Sequence, residues 1–509
     1  MDEIAQQLEK MPDLLSAHLS LTLVALLVST LVSVPLGIAS TRIPWLERVA
    51  VGTASVIQTV PGLAMLAMMV PLLAALGASG IGYLPAIIGL TLYCMFPILM
   101  GTITGIREVD PAMIEAARGV GMTPGQRLKM VELPLALPVI VSGLRTSTIW
   151  CVGMATLSTP VGAPSLGNYI FAGLQTRNYT ALLVGCVAAA VLAQVLDLLV
   201  RSVEVGLRER SKGRLRFGAV GIGGLYLFAI VLGLSAVVEA GGASPVRVGA
   251  KAFTESYVLS EIIAQHLGAE TSREVETVQS LGSTVAFDAL ANGEIDVYVD
   301  YSGTIWATIM GREEVPEDRS AVMIEMRRYL DEEFGVVVVA PLGFENAYCL
   351  AMRQEAAEEL EVTRISDLSL VASTMSIGGD FEFFDRQEWE SIEESYGVEF
   401  DEERAMDPSL MYEAVETGAV DVISAYSTDG RIDAYDLVVL EDDRRAIPPY
   451  DAIILVSPRL SREEPEVVDA LRLLEGSIDA DTMRAMNRAV DADSRDPADV
   501  AREHLARSE

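Results

Sequence analysis

Residues 49–106 contain no Asp, Glu, Lys or Arg, 58 consecutive positions without a formal charge. A helix with solvent on one side needs polar residues on that side, so this run does not build a water-facing layer. About 20 apolar helical residues cross a bilayer core. The run therefore has room for two spans, with a turn at Gly77-Ala78-Ser79-Gly80. Other apolar stretches extend the pattern: a first span at about 17–40, a fourth from Pro138 to about 157, a fifth at about 180–200 and a sixth from Phe217 to Val238. Pro61-Gly62 breaks the second span, as is tolerated at membrane depth where backbone is buried or lines a cavity. Arg145, the one charge in span four, either faces a pathway or snorkels to the interface.

The charge is divided as sharply as the hydropathy. Of 37 basic and 71 acidic residues, positions 1–244 hold 15 and 13, leaving 22 and 58 in 245–509. A chain of 509 residues exceeds one ordinary domain, and the split places a neutral, lipid-embedded half before a soluble, very acidic half. A net charge of −34 repels phosphates and excludes a nucleic-acid partner. Few lysines and many acids make the second half halophile-like. Cys94, Cys151 and Cys186 lie in apolar segments and Cys349 stands alone in the acidic half, so no disulfide scaffold is expected. His18, His266 and His504 are far apart, which argues against a histidine metal site. No Gly-Lys dipeptide exists, hence no phosphate-cradling loop of the G-x-x-x-x-G-K-[ST] kind. The chain is expected to have no catalytic site, no cofactor of its own and no ATP hydrolysis.

Lysines and arginines between the spans set the orientation. Arg42 and Arg48, then Arg107, Arg118, Arg127 and Lys129, then six basic residues from Arg201 to Arg216 mark alternate loops, while the others carry only Arg177. The basic loops are read as cytoplasmic, which puts the N-terminus and everything after span six outside a multi-pass protein of the plasma (inner) membrane. Met1-Asp2-Glu3 is no signal-peptide start, so span six is the expected anchor of the outer domain.

Within the loop between spans three and four stand Glu115-Ala116-Ala117, then Gly121, then Val131-Glu132-Leu133-Pro134. Asp110-Pro111 is suited to starting a helix, and Gly121 to ending it. The spacing resembles the EAA loop of ABC importer permeases. That resemblance implies that loop 110–134, through Glu115, Ala116, Ala117, Gly121, Leu133 and Pro134, docks into a groove of a separate ATPase subunit, which would bind the ATP. It also implies a permease homodimer. The outer segment Thr159–Phe171 resembles a stretch of the same family that helps gate the pathway.

After a short linker at 239–245, the acidic half alternates strands and helices. Strands are expected at 246–251, 274–279, 296–301, 335–341, 347–352, 421–426, 437–440 and 453–456. Helices are expected at 255–267, 284–291 and near 317–332, 384–395, 408–417 and 464–475. About 265 residues suit two lobes, with the chain crossing near 342 and returning near 447. Five stretches then point to one family: Gly249–Glu255, Asn292–Thr304, Leu342–Tyr348, Ser424–Arg431, and Leu440–Asp443 with Pro448–Asp451. They resemble substrate-binding proteins for glycine betaine, choline and related osmolytes. Carried over residue by residue, that resemblance implies a box of Tyr301, Tyr348, Tyr426 and Tyr450 around a quaternary ammonium group, held by cation–π attraction. It further implies Lys251, Thr304, Arg386 and Asn346 at the ligand's carboxylate end, although the stretch 379–386 diverges most.

The expected architecture is an α-helical permease of about six spans, of the binding-protein-dependent transporter type, fused to an α/β two-lobed periplasmic-binding-protein domain. Residues 1–207 form the permease, 208–244 a basic linker, anchor and flexible connector, and 245–509 the binding domain, with lobe 1 at 245–342 and 448–509 and lobe 2 at 343–447. The expected function is import of a quaternary-ammonium compatible solute for osmoprotection. Import of an amino acid or ectoine is the nearer alternative, and a ligand-gated sensor or channel the more distant one.

Overall fold

A computed structural model of the chain describes residues 7–8, 11–76, 78–176, 178–239, 245–312, 319–380 and 383–508. Of the positions singled out above, Met1–Glu3, Gly77, Arg177, 240–244 of the linker, Phe381 and Glu382 lie outside the described residues. The chain divides into two compact units, one of residues 1–171 and 180–244, the other of 172–179 and 245–509.

The first unit is helical. Helix α1 (Met11–Ser40) is the first span. Helices α2 (Pro44–Thr59) and α3 (Gly62–Ala75) meet at a bend of 105°. The cause is local: Pro61 disfavours helical geometry in the residue before it, and Val60 is extended with ψ 129°. The break expected at Pro61-Gly62 is therefore present. Helix α4 (Tyr83–Arg107) is the third apolar span. After it come the short helix α5 (Pro111–Gly119) and, beyond a π-turn at Leu128–Glu132, helix α6 (Leu133–Ala155). The fourth span thus starts earlier than Pro138, which lies inside α6; Pro134 supplies the N-terminal proline instead. Helix α7 (Tyr179–Arg208) runs further than expected at its C-terminal end. Four helices are long and apolar enough to cross a membrane on their own, and the bent pair makes five, among the described residues. The expected sixth span falls within helix α8 (Lys212–Glu239). Its Tyr226 hydroxyl donates to the Leu23 carbonyl at 3.0 Å and ties α8 to α1.

Arg145 is ion-paired within the helical unit. From α6 it makes two hydrogen bonds to Asp197 of α7, at 2.6 and 3.0 Å, and lies 3.6 Å from Glu204. An ionised side chain at membrane depth is costly unless paired, and this pair closes the α6–α7 contact.

The second unit holds two five-stranded sheets. The first has the order β2-β1-β3-β10-β4, with β1 (Val246–Lys251), β2 (Val275–Leu281), β3 (Val297–Tyr301), β4 (Val337–Glu345) and β10 (Asp451–Val456). Strands β1, β2 and β3 are parallel, and β10 runs antiparallel to β3 and β4. The second has the order β7-β6-β8-β5-β9, with β5 (Tyr348–Arg353), β6 (Ser376–Gly379), β7 (Glu402–Ala405), β8 (Val422–Tyr426) and β9 (Leu437–Val439). The chain passes from one sheet to the other over Asn346-Ala347 and returns between β9 and β10. Helix α9 (Thr254–Glu270) buries Val258, Leu259, Ile262 and Ile263 against Val248, Val297 and Ile454 of the first sheet. Helix α10 (Gln387–Tyr396) and helix α11 (Ala480–Asp491) complete the layers that frame the cleft.

Candidate functional site

The loop at 110–134 is built from capping chemistry. Asp110 accepts from the Ala112 amide at 2.8 Å, satisfying one free donor at the start of α5. Gly121, at φ +82°, turns the chain after the helix, a conformation that side chains rarely adopt. Glu115 and Ala116 are exposed while Ala117 is buried, so the motif is split between the outward and inward sides of α5. The loop is tied down at its far end. The buried Glu132 carboxylate accepts from Arg127 Nε at 2.6 Å and from Arg42 of the α1–α2 turn. Leu133 and Pro134 follow as the first turn of α6.

In the outer segment expected to gate, the structure has a 3₁₀ turn at Thr156–Val161, then Thr159, Ser165 and Asn168 joined side chain to side chain at 3.0 Å. His18 of α1 accepts from the Leu166 amide at 3.3 Å.

The aromatic site lies between the two sheets. Tyr348 opens β5 and Tyr426 closes β8; they are direct partners in the antiparallel ladder, so both side chains leave the same face. Their rings are 4.9 Å apart at 40°. Tyr450 comes from the other sheet, just before β10, and meets Tyr348 edge-on at 6.1 Å and 81°. Its ring lies on Gly303, where an added Cβ would sit 2.6 Å from Tyr450 Cζ. Glycine in the Asp300–Thr304 stretch thus makes room for this ring. Tyr301 is the outlying member of the four. Its ring packs on Phe253 at 6.2 Å, with Lys251 Nζ 5.8 Å from the ring centroid.

Every one of the four hydroxyls donates to a buried carboxylate. Tyr301 reaches Glu255 at 2.5 Å, Tyr426 reaches Asp380 at 2.8 Å, Tyr348 reaches the same Asp380 oxygen at 3.2 Å, and Tyr450 reaches Glu388. Glu255, Asp380 and Glu388 are 3, 5 and 2 % exposed. Burial pushes the Tyr301, Tyr348 and Tyr426 hydroxyls above their ordinary value, which keeps them neutral donors. These three acids were missed by sequence reasoning. Asp380 sits in the stretch that diverges from the resembled family, and Glu255 stands inside a recognised motif with nothing in the spacing to give it a role.

The basic residues are less open than the sequence suggests. Lys251, 4 % exposed, pairs with Asp300, which also accepts from the Tyr298 hydroxyl at 2.6 Å and the Tyr301 amide at 2.8 Å. Arg386 lies over Tyr348, 5.4 Å from its centroid, and 3.5 Å from Glu388 Oε2. Asn346, at the crossing between sheets, donates to Glu255 at 3.0 Å. Thr304, half-buried, lies in the short helical turn that follows Tyr301. Aromatic faces with electron-rich hydroxyl partners attract a cation that offers no N–H donor. Among the described residues no cluster of His, Cys, Asp and Glu is placed to hold a metal.

Comparison with known proteins gives the family of each half. The family described as the substrate binding domain of ABC-type glycine betaine transport systems matches residues 244–507. The binding-protein-dependent transport system inner membrane component family matches residues 33–209. The ergothioneine transport permease/ergothioneine binding protein EgtU of Helicobacter pylori (strain G27) is 28 % identical over 88 % of this chain and 81 % of its own length. The choline transport system permease protein OpuBB of Bacillus subtilis (strain 168) is 41 % identical over 39 % of this chain and 89 % of its own. The carnitine transport binding protein OpuCC of Listeria monocytogenes serotype 1/2a (strain 10403S) is 31 % identical over 53 % of this chain and 89 % of its own. This is a multi-pass membrane protein and a non-catalytic transport component, its binding domain of the extracytoplasmic type. The chain belongs to the substrate-binding family of ABC-type glycine betaine transport systems, joined in one polypeptide to a binding-protein-dependent permease.

Proposed function

We propose that the outer unit captures a quaternary-ammonium solute such as glycine betaine, choline or carnitine, and that the membrane unit carries it inward for osmoprotection. A separate ATPase subunit docks on residues 110–134 and supplies the energy, and two copies of the permease pair to form the path. The observation that carries this reading is the meeting of Tyr348, Tyr426 and Tyr450 from two different sheets. A methylated ammonium is held by such faces, each contact contributing roughly 0.5–2 kcal/mol. Arg386, 5.4 Å from the Tyr348 ring centroid, is the basic group we assign to a carboxylate, with Lys251 available if a ligand draws it from Asp300. The exposed α5, with Met113, Glu115, Ala116 and the following Val120 open, favours an ATPase-driven importer over a sensor, which has no use for such a knob.

A second reading keeps the importer and changes the cargo to ergothioneine, itself a trimethylammonium compound. It is favoured by the relative that shares the fused layout over 88 % of this chain. Titration calorimetry of choline, glycine betaine, carnitine and ergothioneine against the purified chain tests both. Tight binding of at least one trimethylated ligand, lost in Tyr348→Ala, supports the box. Preference for an unmethylated amino acid overturns it.

A further inference from the structure

Glu255 sits in the first turn of α9, and nothing in the cation chemistry of the box calls for it. Its carboxylate nevertheless accepts four hydrogen bonds from side chains. Oε1 accepts from Tyr301 Oη at 2.5 Å and Asn346 Nδ2 at 3.0 Å; Oε2 accepts from Thr428 Oγ1 and from Asn487 Nδ2 at 3.0 Å. The four donors come from four segments. Tyr301 ends β3 of the first sheet and Asn487 lies in α11. Asn346 is at the crossing between sheets, and Thr428 follows β8 of the second sheet. Both amide oxygens, Asn346 Oδ1 and Asn487 Oδ1, are buried without a hydrogen-bond partner. Each amide turns its NH₂ to Glu255, and that of Asn487 is shared with the Thr428 carbonyl.

The surroundings make this a lobe-to-lobe contact. Asn487 Nδ2 also donates to the Thr428 carbonyl at 2.8 Å, and Arg484 donates to the Ser427 carbonyl at 3.1 Å. At Gly430 an added Cβ would lie 2.3 Å from the Arg488 backbone nitrogen. The segment 427–430 of the second sheet's lobe therefore lies flat on α11, with Glu255 beneath it.

We propose that Glu255 is a positioning residue that couples the aromatic box to closure of the lobes: one oxygen fixes Tyr301 and the crossing at Asn346, the other takes Thr428 from the opposite lobe. Separating the lobes withdraws Thr428 and leaves a buried charge short of a donor, so the closed form is favoured by the complete donor set. Glu255 touches no ligand in this scheme. Its loss raises the dissociation rate of any ligand by weakening closure. The proposal rests on reading the box as the ligand site, but the latch itself also acts without ligand.

The test uses the full chain in detergent, with spin labels on exposed positions of the two lobes and pulsed distance measurement. Glu255→Gln keeps the shape and removes the charge; Thr428→Val keeps every first-lobe contact and removes the donor from the second lobe. Both should lengthen the ligand-free interlobe distance. Both should also raise the dissociation rates of choline and glycine betaine alike by at least about fivefold, the size expected from one lost hydrogen bond to a charged group. If Glu255→Gln does not fold, Thr428→Val carries the test. Unchanged ligand-free distances in both variants overturn the latch. A loss confined to glycine betaine also overturns it, because that would mean Glu255 acts on the ligand's carboxylate end. If the wild-type chain binds no quaternary ammonium while the ligand-free distances still shift, the latch stands and the reading of the site falls.

Discussion

The four tyrosines proposed for the box are held at both ends, ring against ring and hydroxyl against carboxylate, and this changes what their substitution should do. Losing a ring to alanine removes a cation–π face and its area, and Tyr426→Ala should weaken binding of a quaternary ammonium by roughly 1–3 kcal/mol. Phenylalanine is not uniformly mild. Tyr426→Phe leaves Asp380 with the Tyr348 hydroxyl and should cost about 1 kcal/mol or less. Tyr450→Phe withdraws the hydroxyl from Glu388, a carboxylate 2 % exposed, and should cost roughly 1–3 kcal/mol in stability as well as affinity. Thermal melts beside calorimetry separate the two; equal small effects at both positions would show that the carboxylates do not anchor the rings. Glu255 makes a second prediction. Burial, opposed by its hydrogen bonds from Thr428, Tyr301, Asn487 and Asn346, raises its pKa above the ordinary 4.5. The folded state then holds this proton more tightly than the unfolded one. The stability it contributes is full below the ordinary value and is lost as pH rises through the raised one. Urea midpoints of the wild-type outer unit should fall across that window, and those of Glu255→Gln should fall less. Parallel curves would mean that Glu255 does not titrate differently in the folded chain.

At the scale of elements, the helix expected from Asp110-Pro111 to Gly121 is present, capped by Asp110 and followed by Gly121 in the left-handed region. Gly121 has φ +82° with open space around its Cα, so a β-branched residue there is penalised by backbone strain rather than by a clash. Gly121→Val should abolish ATP-driven uptake and leave ligand binding by the outer unit unchanged; uptake at the wild-type rate would show that the loop is not the ATPase contact. Much of the rest was legible for plain reasons. The strands β1, β3, β5, β8 and β10 are short apolar runs between turn residues, and all were expected within about two residues. The spans announced themselves by absence of charge. Two strands were not legible. β6 is Ser376-Ile377-Gly378-Gly379, where two glycines carry no strand signal, and β7 is Glu402-Glu403-Arg404-Ala405, an edge strand exposed along its whole length and lacking alternation. Helix α11 and the helix at Pro497–Ser508 were passed over because charged residues dominate them. The start of α6 was misplaced because Pro138 reads as a helix beginning, whereas the π-turn before Leu133 already commits the chain. In the proposed site, the residues could be named from the sequence but their pairing could not. Tyr348 and Tyr426 are 78 positions apart and become neighbours only through the β5–β8 register. The pairing of Lys251 with Asp300, 49 positions on, was likewise invisible in the sequence.

Across the whole molecule, the division between a neutral apolar half and an acidic half matches the division into units, and each half meets a different solvent. The outer unit carries 58 of the 71 acidic residues, and such a surface repels itself unless salt screens it. At molar salt the Debye length is about 3 Å, against about 10 Å at 0.1 M, so the melting temperature of the outer unit should drop on dilution from molar to 0.1 M salt. An unchanged melting temperature would remove the high-salt reading of this surface. The central claim is narrower: that the fused chain takes up a solute because a methylated ammonium fits between Tyr348, Tyr426 and Tyr450. It is tested most directly by calorimetry on the full chain at high salt, titrating choline beside ethanolamine and glycine betaine beside glycine. The methyl groups are the only difference within each pair. The account predicts that the trimethylated member binds at least about a hundredfold more tightly in both pairs, as two or more cation–π contacts would provide, and that Tyr348→Ala abolishes the preference. Equal affinity for methylated and unmethylated members would contradict it.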